Sequence, residues 1–495
     1  MMFDLLIPSQ PKELRAHQAK VIDMLRQSLA RGNKRVVIQG PTGFGKTLVA
    51  AKIVEGALAK GNAVIFAAPM ISLIDQTVLA FEQEGIRDIG VMQANHPRTN
   101  PLARVQVGSV QTLARRVVPS AAVIIIDECH IRSRVVEKLI EEREDVVFIG
   151  LSATPWAKGM GQRWQDLVVP CTIGDLISQG YLSRFTAYAP SVPDLTGVRV
   201  KAGDFDEHAV EAVMSGKALM ASVIETWLEK GENRPTLLFG VNRAHAKVLA
   251  EAFSLAGVPV AYVDAFTDQG ERALIERRFR EGHIKVVASV RTLTTGVDWS
   301  VSCLIDAAPT KSEMLHVQKI GRGLRVNPGT EDLIILDHAG NALRLGLVTD
   351  IHHTELDGTT PGKRSRQSPR AKVEPKPCSR CEALHSGLTC PYCGMRKTLS
   401  TGVSTVAGNL TAIGMVKTAK PLSKLEKQRF WSMALSLDDA RGKNGKLAKS
   451  LFKAKFGAWP DGLRDTREAP GQAFLNYEKS RRIACAKRRT RGGRG

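Results

Sequence analysis

Short apolar runs alternating with amphipathic stretches set the rhythm of the first third of the chain. From about residue 14 to 157, runs of five or six residues rich in Val and Ile are separated by segments with apolar positions at helical spacing. This is the pattern of a parallel sheet with crossover helices. The predicted strands are Arg35 to Gln39, Ala63 to Ala67, Val105 to Ser109, Val123 to Asp127 and Val146 to Leu151. The runs AVIII and VVFIGL are apolar at every position, as a strand covered by helices on both faces must be. A second alternation from about 235 to 340 contains TLLFG, VAYVD, KVVAS, CLIDA and LIILD, separated by stretches such as ERALIERRFREGH. Two such sheets imply two lobes.

The pattern weakens elsewhere, and the weakening divides the chain. A first lobe is expected over 1–157, a connecting region over 158–234 with the Pro- and Gly-rich passage APSVPDLTGVRVKAGDF, and a second lobe over 235–350. Residues 351–377, which include TTPGKRSRQSPRAKVEPKP, lack apolar periodicity and read as a solvated linker. A four-cysteine unit at 378–394 follows, then a small basic helical module at 420–480 and a basic disordered tail at 481–495.

A length of 495 residues fits roughly three domains of ordinary size. No apolar run is long enough to span a bilayer, and MMFDLLIPSQPKE resembles no secretory signal, so a cytoplasmic protein without membrane contact is expected. The net charge of +21 is unevenly placed. Residues 1–360 hold 40 Lys+Arg and 40 Asp+Glu, whereas residues 361–495 hold 30 and 9. A neutral body with a cationic end has the footprint of a protein that meets a polyanion, since each cation near a phosphate releases condensed counterions.

Gly40-Pro-Thr-Gly-Phe-Gly-Lys-Thr47 fits G-x-x-x-x-G-K-[ST], directly after a predicted strand and before the helical run LVAAKIVEGALAK. Gly40, Thr42, Gly43 and Gly45 would let backbone N–H groups close around phosphates, Lys46 would reach the β and γ phosphates, and Thr47 would place its hydroxyl on Mg2+. Ile124-Ile-Ile-Asp-Glu-Cys-His130 sets two acids at the C-terminal end of a buried strand, the edge where parallel sheets bind ligands. Asp127 is suited to hold Mg2+ and Glu128 to deprotonate an attacking water. Cys378, Cys381, Cys390 and Cys393 give C-x2-C-x8-C-x2-C with Gly394 just after, a spacing that aims four thiolates at one Zn2+.

With these motifs in place the chain resembles a superfamily 2 helicase over about residues 14 to 326. The matching segments are, in order, LRAHQ, GPTGFGKT, AAPMISLIDQT, GSVQTL, DECH, GLSATP, LLFGVNRAHA, TLTTGVDW and QKIGRGLR. The resemblance implies an α/β fold of two tandem RecA-like parallel-sheet lobes with ATP in the cleft, plus the small zinc ribbon and the basic helical module. It also implies roles. Gln18 would read the adenine edge; Ser152, Thr154 and Gln318 would couple hydrolysis to the nucleic-acid face; Gly296 and Asp298 would sit at the cleft. Arg322 and Arg325, three apart on one helical face, would reach the γ-phosphate.

The motif variants DECH, APMISLIDQT and GSVQTL differ from those of DEAD-box RNA helicases and resemble the branch containing type III restriction subunits and small bacterial and phage helicases. The implied activity is ATP-dependent movement on, or unwinding of, DNA. The alternatives are an RNA-dependent ATPase on the same fold, a non-hydrolysing scaffold, and the motor of a restriction complex, although the chain shows no P-D-x(n)-E-x-K nuclease pattern. In the C-terminal module, Trp431, Phe452, Phe456 and Trp459 lie among Lys424, Lys427, Arg429, Lys446, Lys449, Lys453 and Lys455. The aromatics are expected to form a minimal core, with the lysines free to meet phosphates.

Overall fold

The computed structural model describes residues 12–93, 96–189, 193–201, 203–290, 299–326, 332–359, 375–396, 424–456, 458–471, 474–475 and 477–478. It divides into two compact units, residues 1–399 and 400–495.

The first unit contains both expected sheets. Strands β1 (Arg35–Gln39), β2 (Val64–Ala68), β3 (Ile89–Met92), β4 (Val105–Ser109), β5 (Val123–Asp127), β6 (Val147–Ser152) and β7 (Asp166–Val168) form one parallel sheet in the order β3-β4-β2-β5-β6-β1-β7. Alternate side chains enter two cores. Val36, Ile38, Phe66, Ile125 and Ile149 face one, and Val37, Ile65, Ile124, Ile126 and Phe148 face the other. Both faces are therefore closed, as the uninterrupted apolar runs require, and each buried Val, Ile or Phe contributes about 1.5–3 kcal/mol.

The second sheet repeats the logic. Strand β8 (Arg184–Tyr188) lies at its edge, a short hairpin of β9 (Val200–Lys201) and β10 (Asp204–Phe205) follows, and β11 (Thr236–Gly240), β12 (Val260–Val263), β13 (Val286–Ser289), β14 (Cys303–Ala307) and β15 (Asp332–Asp337) complete it. The order is β12-β13-β11-β14-β15-β8, again parallel throughout. Leu237, Phe239, Val287 and Leu304 face one core, and Leu238, Val286, Cys303 and Ile305 the other.

The stretch expected only to connect the lobes supplies an edge strand to each. β7 pairs with β1, and β8 pairs with β15. Both are short, and each has partly exposed positions, so neither shows the unbroken apolar run that marks a central strand. The start of the expected linker is also structured. Ile351 is buried in the core, Leu356 packs beside Met160 and Trp164 of the first lobe, and Asp357 accepts N–H bonds from Gly159 at 3.3 Å and Gly161 at 2.8 Å. Residues 351–359 thus form a strap from the second lobe back to the first; its anchors are Leu356, both the carboxylate and carbonyl of Asp357, and His353 stacked on Trp156 at 4.5 Å, which leave no periodic signature. Residues 360–374 of that linker lie outside the described residues, and its last two, Lys376–Pro377, form a strand of the four-cysteine unit rather than linker.

Strands β16 (Lys376–Pro377) and β17 (Leu384–His385) pair antiparallel in the four-cysteine unit. It docks beside β8, where Tyr188 packs against the cysteines, Lys230 pairs with Glu382 at 2.7 Å and Ser386 bonds Asp350 at 2.7 Å. The second unit pairs the Lys424–Ala440 and Lys446–Phe456 helices around Phe430, Trp431, Leu451, Phe452 and Phe474. Trp431, Phe452 and the partly buried Phe456 belong to this core, whereas Trp459 is exposed. The tail at 481–495 lies outside the described residues. Among the described residues no helix is long and apolar enough to cross a membrane.

Candidate active site

Strand register assembles the site. Gln39 of β1 lies opposite Ser152 of β6, and Asp127 of β5 lies opposite Leu151, so the loops after β1, β5 and β6 emerge side by side. Gly43 and Gly45 adopt φ of 75° and 82°, the left-handed turns that fold the loop back before the Lys46–Leu58 helix. Phe44 is fully buried beneath the loop, and Gly40 N–H donates to Ser152 O at 2.9 Å. Lys46 and Thr47 open the helix, where backbone N–H groups and the helix dipole favour an anion.

Glu128 has φ of 48°, a left-handed conformation uncommon for a residue with a side chain. The turn it makes ends β5 and sends its carboxylate to Lys46 Nζ, at 2.6 Å, while Asp127 Oδ1 lies 3.9 Å from the same ammonium. Burial opposes ionisation of Glu128, but the Lys46 charge and His130 outweigh it and hold the carboxyl down to about 2. Burial raises Asp127 as well, and there it prevails over the pull of Lys46. Lys46 is itself raised, the two carboxylates overcoming the cost of burial. Glu128 is thus held ionised by Lys46 and His130, the state a base requires.

The network continues across the cleft. His130 Nδ1 lies 2.9 Å from Ser152 Oγ and 3.3 Å from Glu128 Oε2, and Thr154 N–H donates to Ser152 Oγ at 3.1 Å. From the second lobe, Gln318 Nε2 donates to Thr154 Oγ1 at 3.0 Å and lies 3.3 Å from His130 Nε2. Gln318 sits on the Glu313–Gly323 helix, the same helix whose Gly321 meets the phosphate loop. A Cβ on Gly321 would come within 2.5 Å of Thr42 Oγ1, so glycine permits the approach and places the next residue, Arg322, beside the loop. His130 lies within DECH, where the sequence alone gives it no task; its position three residues after Asp127, facing a serine one strand away, is a signal that needs the sheet order.

Arg322 and Arg325 do not share a helical face. The helix ends at Gly323, and Arg325 instead forms a β-bridge with Leu182 and accepts Ser183 Oγ–H at 3.2 Å on its carbonyl. The backbone leaves the helix early because Ser183 N–H takes the carbonyl of Leu324, at 2.8 Å. Gln18 is buried, donating from Nε2 to Phe44 O at 2.8 Å and accepting Arg15 N–H at 2.9 Å on Oε1. Beside it His17 packs between Phe44 and Tyr181, and Arg15 lies 4.3 Å over the Tyr181 ring. Gly296 and Asp298 lie outside the described residues.

Beneath the Glu313–Gly323 helix the second lobe buries its own charges. Lys319 Nζ donates to Asp306 Oδ1 at 2.6 Å and to Ala308 O at 2.8 Å, and Asn341 Nδ2 donates to Asp306 Oδ2 at 2.8 Å. Nearby, burial and the Asp306 charge push Asp337 up to about 6, while burial lowers His316 to about 4.

The four cysteines form a second centre. Cys378 Sγ lies 3.6 Å from Cys393 Sγ, Cys381 Sγ lies 3.7 Å from Cys390 Sγ, and all four sulfurs fall within 4.8 Å of one another. Disulfide sulfurs would be about 2.05 Å apart. The edges of a tetrahedron with metal–sulfur bonds of about 2.3 Å are about 3.8 Å, so the set fits one tetrahedral ion. Gly394 has φ of 71°, the turn that brings the second pair round.

A phosphate loop, an acid pair and a helix from the opposite lobe meeting over one cleft define an ATP-dependent motor with two RecA-like lobes. The chain carries the paired domains of a superfamily 2 helicase, the first of them of the type III restriction kind, and is a nucleic-acid-dependent ATPase. The family described as type III restriction enzyme, res subunit, matches residues 11–157, and the helicase conserved C-terminal domain matches residues 218–327. The chain is 28% identical over 367 residues to a 51.5 kDa protein of a Lactococcus phage (isolate 7-9), which covers 72% of this chain and 77% of that protein. It is 28% identical over 369 residues to a Saccharomyces cerevisiae (strain ATCC 204508 / S288c) protein assigned as the ATP-dependent helicase IRC3, covering 68% of this chain and 52% of the yeast protein. It thus spans about half the yeast protein's length. In fold it is similar to a fragment assigned as the HsdR subunit of a type I restriction enzyme from Vibrio vulnificus YJ016, with a TM-score of 0.54 and 20% identity over 71% of this chain and 68% of that one.

Proposed function

We propose that the protein is a DNA-directed helicase or translocase that couples ATP hydrolysis to movement along a strand. The observation that carries this reading is the continuous path from Lys46 and Glu128 through His130, Ser152 and Thr154 to Gln318 of the opposite lobe. Such a path gives the nucleotide a handle on the lobe interface, which is what a motor needs.

In this reading the loop from Gly40 to Gly45, with Thr42, holds the phosphates, Lys46 exchanges Glu128 for the β and γ phosphates, and Thr47 and Asp127 would hold Mg2+, whose charge would screen the phosphate oxygens. Glu128, released from Lys46, takes the proton of the attacking water. Arg322 neutralises charge on the γ-phosphate in the transition state, with Arg325 positioned through its bridge to Leu182. Gln18 fixes the loop at Phe44 and meets the adenine edge, and Gly296 and Asp298 line the cleft. The restriction-subunit family and the motif variants favour DNA over RNA. ATPase rates with no nucleic acid, single-stranded DNA, duplex DNA, forked DNA and RNA test the assignment. DNA is expected to stimulate most; greater stimulation by RNA would replace DNA with RNA as substrate.

The four thiolates are suited to Zn2+, which would tie the hairpin that covers the β8 edge. Elemental analysis is expected to return one zinc per chain, and a value near zero in protein purified without chelator would remove the assignment.

A further inference from the structure

The second unit lies wholly beyond the two matched family regions, the later of which ends at residue 327. Of its four sequence-nominated aromatics, Trp459 alone is turned outward, 51% exposed against 4% for Trp431 and 2% for Phe452. An indole left at the surface forgoes the burial that the other rings obtain.

The helix face beside it is basic. Lys446, Lys449 and Lys453 follow one another at spacings of three and four on the Lys446–Phe456 helix, and so share one face. With Ser450, Ala454 and Trp459 they line a groove of about 460 Å³. The opposite face, through Ala448, Leu451 and Phe452, is buried in the core, so the basic face is fixed in direction.

Five of the unit's acids are engaged elsewhere, and the exposed Asp461 lies two residues from Trp459, its N–H donating to Trp459 O at 2.9 Å. Glu468 pairs with Arg429 at 3.0 Å, Glu478 with Arg441 at 2.7 Å and Asp439 with Arg467 at 2.8 Å. Asp438 accepts the N–H groups of Gly445 and Ala448, and Asp465 accepts Trp431 Nε1–H. Among the described residues none forms an ion pair with Lys446, Lys449 or Lys453. Lys453 Nζ instead sits 4.1 Å from the centroid of the Trp459 ring, holding the indole against the helix while much of it stays in solvent.

We propose that this face binds single-stranded nucleic acid, with Trp459 stacking on an unpaired base and Lys446, Lys449 and Lys453 holding the adjoining phosphates. The lysines repeat at about 5–6 Å between side-chain origins, a row suited to successive charges rather than to one ion. The indole selects for a strand over a duplex, because paired bases are already stacked on one another and offer no face. An acidic protein surface would satisfy the lysines but would leave the ring without a flat partner. It shares no residue with the ATPase site and does not depend on that site's mechanism.

The test uses the full chain, titrated with a fluorescent oligo-dT strand and with a duplex of equal length at several salt concentrations. Trp459→Ala should weaken strand binding by at least about fivefold, while Trp459→Phe, which keeps an aromatic face, should retain most of the affinity. Duplex affinity should change little in either variant. The triple substitution Lys446→Ala, Lys449→Ala and Lys453→Ala should lower the slope of log K against log salt by about 2, roughly 0.7 for each lost contact to a single strand. Basal ATPase without nucleic acid should be unchanged in all of them. Unaltered strand affinity in Trp459→Ala, or equal losses for strand and duplex, would overturn the stacking site. Failure of the motor reading would show separately, as an ATPase that nucleic acid does not stimulate in the unsubstituted protein.

Discussion

The two lobes share a topology and handle charge in opposite ways. In the first lobe Lys46 and Glu128 pair at 2.6 Å with side chains 20% and 17% exposed, at the mouth of the cleft. In the second, Lys319 and Asp306 pair at the same 2.6 Å but are 2% and 0% exposed, beneath the helix that faces the cleft. A pair at the rim can exchange partners when a phosphate arrives. A pair in the interior cannot, because separating it would leave a charge in a medium that does not solvate it. The first lobe therefore holds movable charges and the second a fixed mount, on which Gln318 and Arg322 are carried one residue before and three residues after Lys319.

The contrast can be broken most sharply at turnover. Arg322→Ala is expected to lower kcat by roughly a thousandfold while leaving nucleotide binding to the first lobe intact, as for arginines that act only on transition-state charge. Glu128→Gln should lower kcat by about a hundred- to ten-thousandfold with ATP affinity kept, since an amide cannot take the proton of water. Single-turnover hydrolysis beside equilibrium nucleotide binding separates the two quantities. For Glu128→Gln the thermal midpoint should fall less than on loss of the interior charge, because the amide oxygen can still accept from Lys46 and solvent reaches the cleft side of the pair.

The mirror experiment in the second lobe should reverse that profile. Lys319→Met strands Asp306 and is expected to cost about 3–5 kcal/mol of stability, seen in urea or thermal unfolding of the lobe. Removing both charges, as Lys319→Met with Asp306→Leu, should restore part of the loss. A Lys319→Met protein as stable as the original would mean that the interior pair is not a mount at all.

Much of this arrangement is legible in the residues themselves. Strands β1, β4 and β5 fall at their expected positions, and the central β5 shows why: a strand buried on both faces is apolar along its run, here Val123 through Ile126. The phosphate loop, the acid pair and the cysteine spacing are likewise local, each needing only a short window. What escapes is whatever depends on partners far along the chain. β7 and β8 are short edge strands whose sheet membership is set by β1 and β15. The task of His130 appears only when Ser152 and Gln318 are brought beside it. The helix bearing Arg322 stops before Arg325 because Ser183, some 140 positions earlier, competes for its backbone carbonyls. Trp459 differs from Phe452 in burial although both sit among lysines, since helical spacing in the pair of helices already fills the core.

The strap at 351–359 bears on how such a chain is made. Leu356 covers Met160 and Trp164, and Asp357 closes the N–H groups of Gly159 and Gly161. These partners belong to the first lobe, but the residues that cover them leave the ribosome only after the entire second lobe has been synthesised. Domains emerging in order ordinarily fold in order. Here the first lobe can complete its sheet early, yet one patch of its surface waits, apolar and with unmet backbone donors, until its neighbour is finished. Completion of the first lobe is thereby made to report completion of the second.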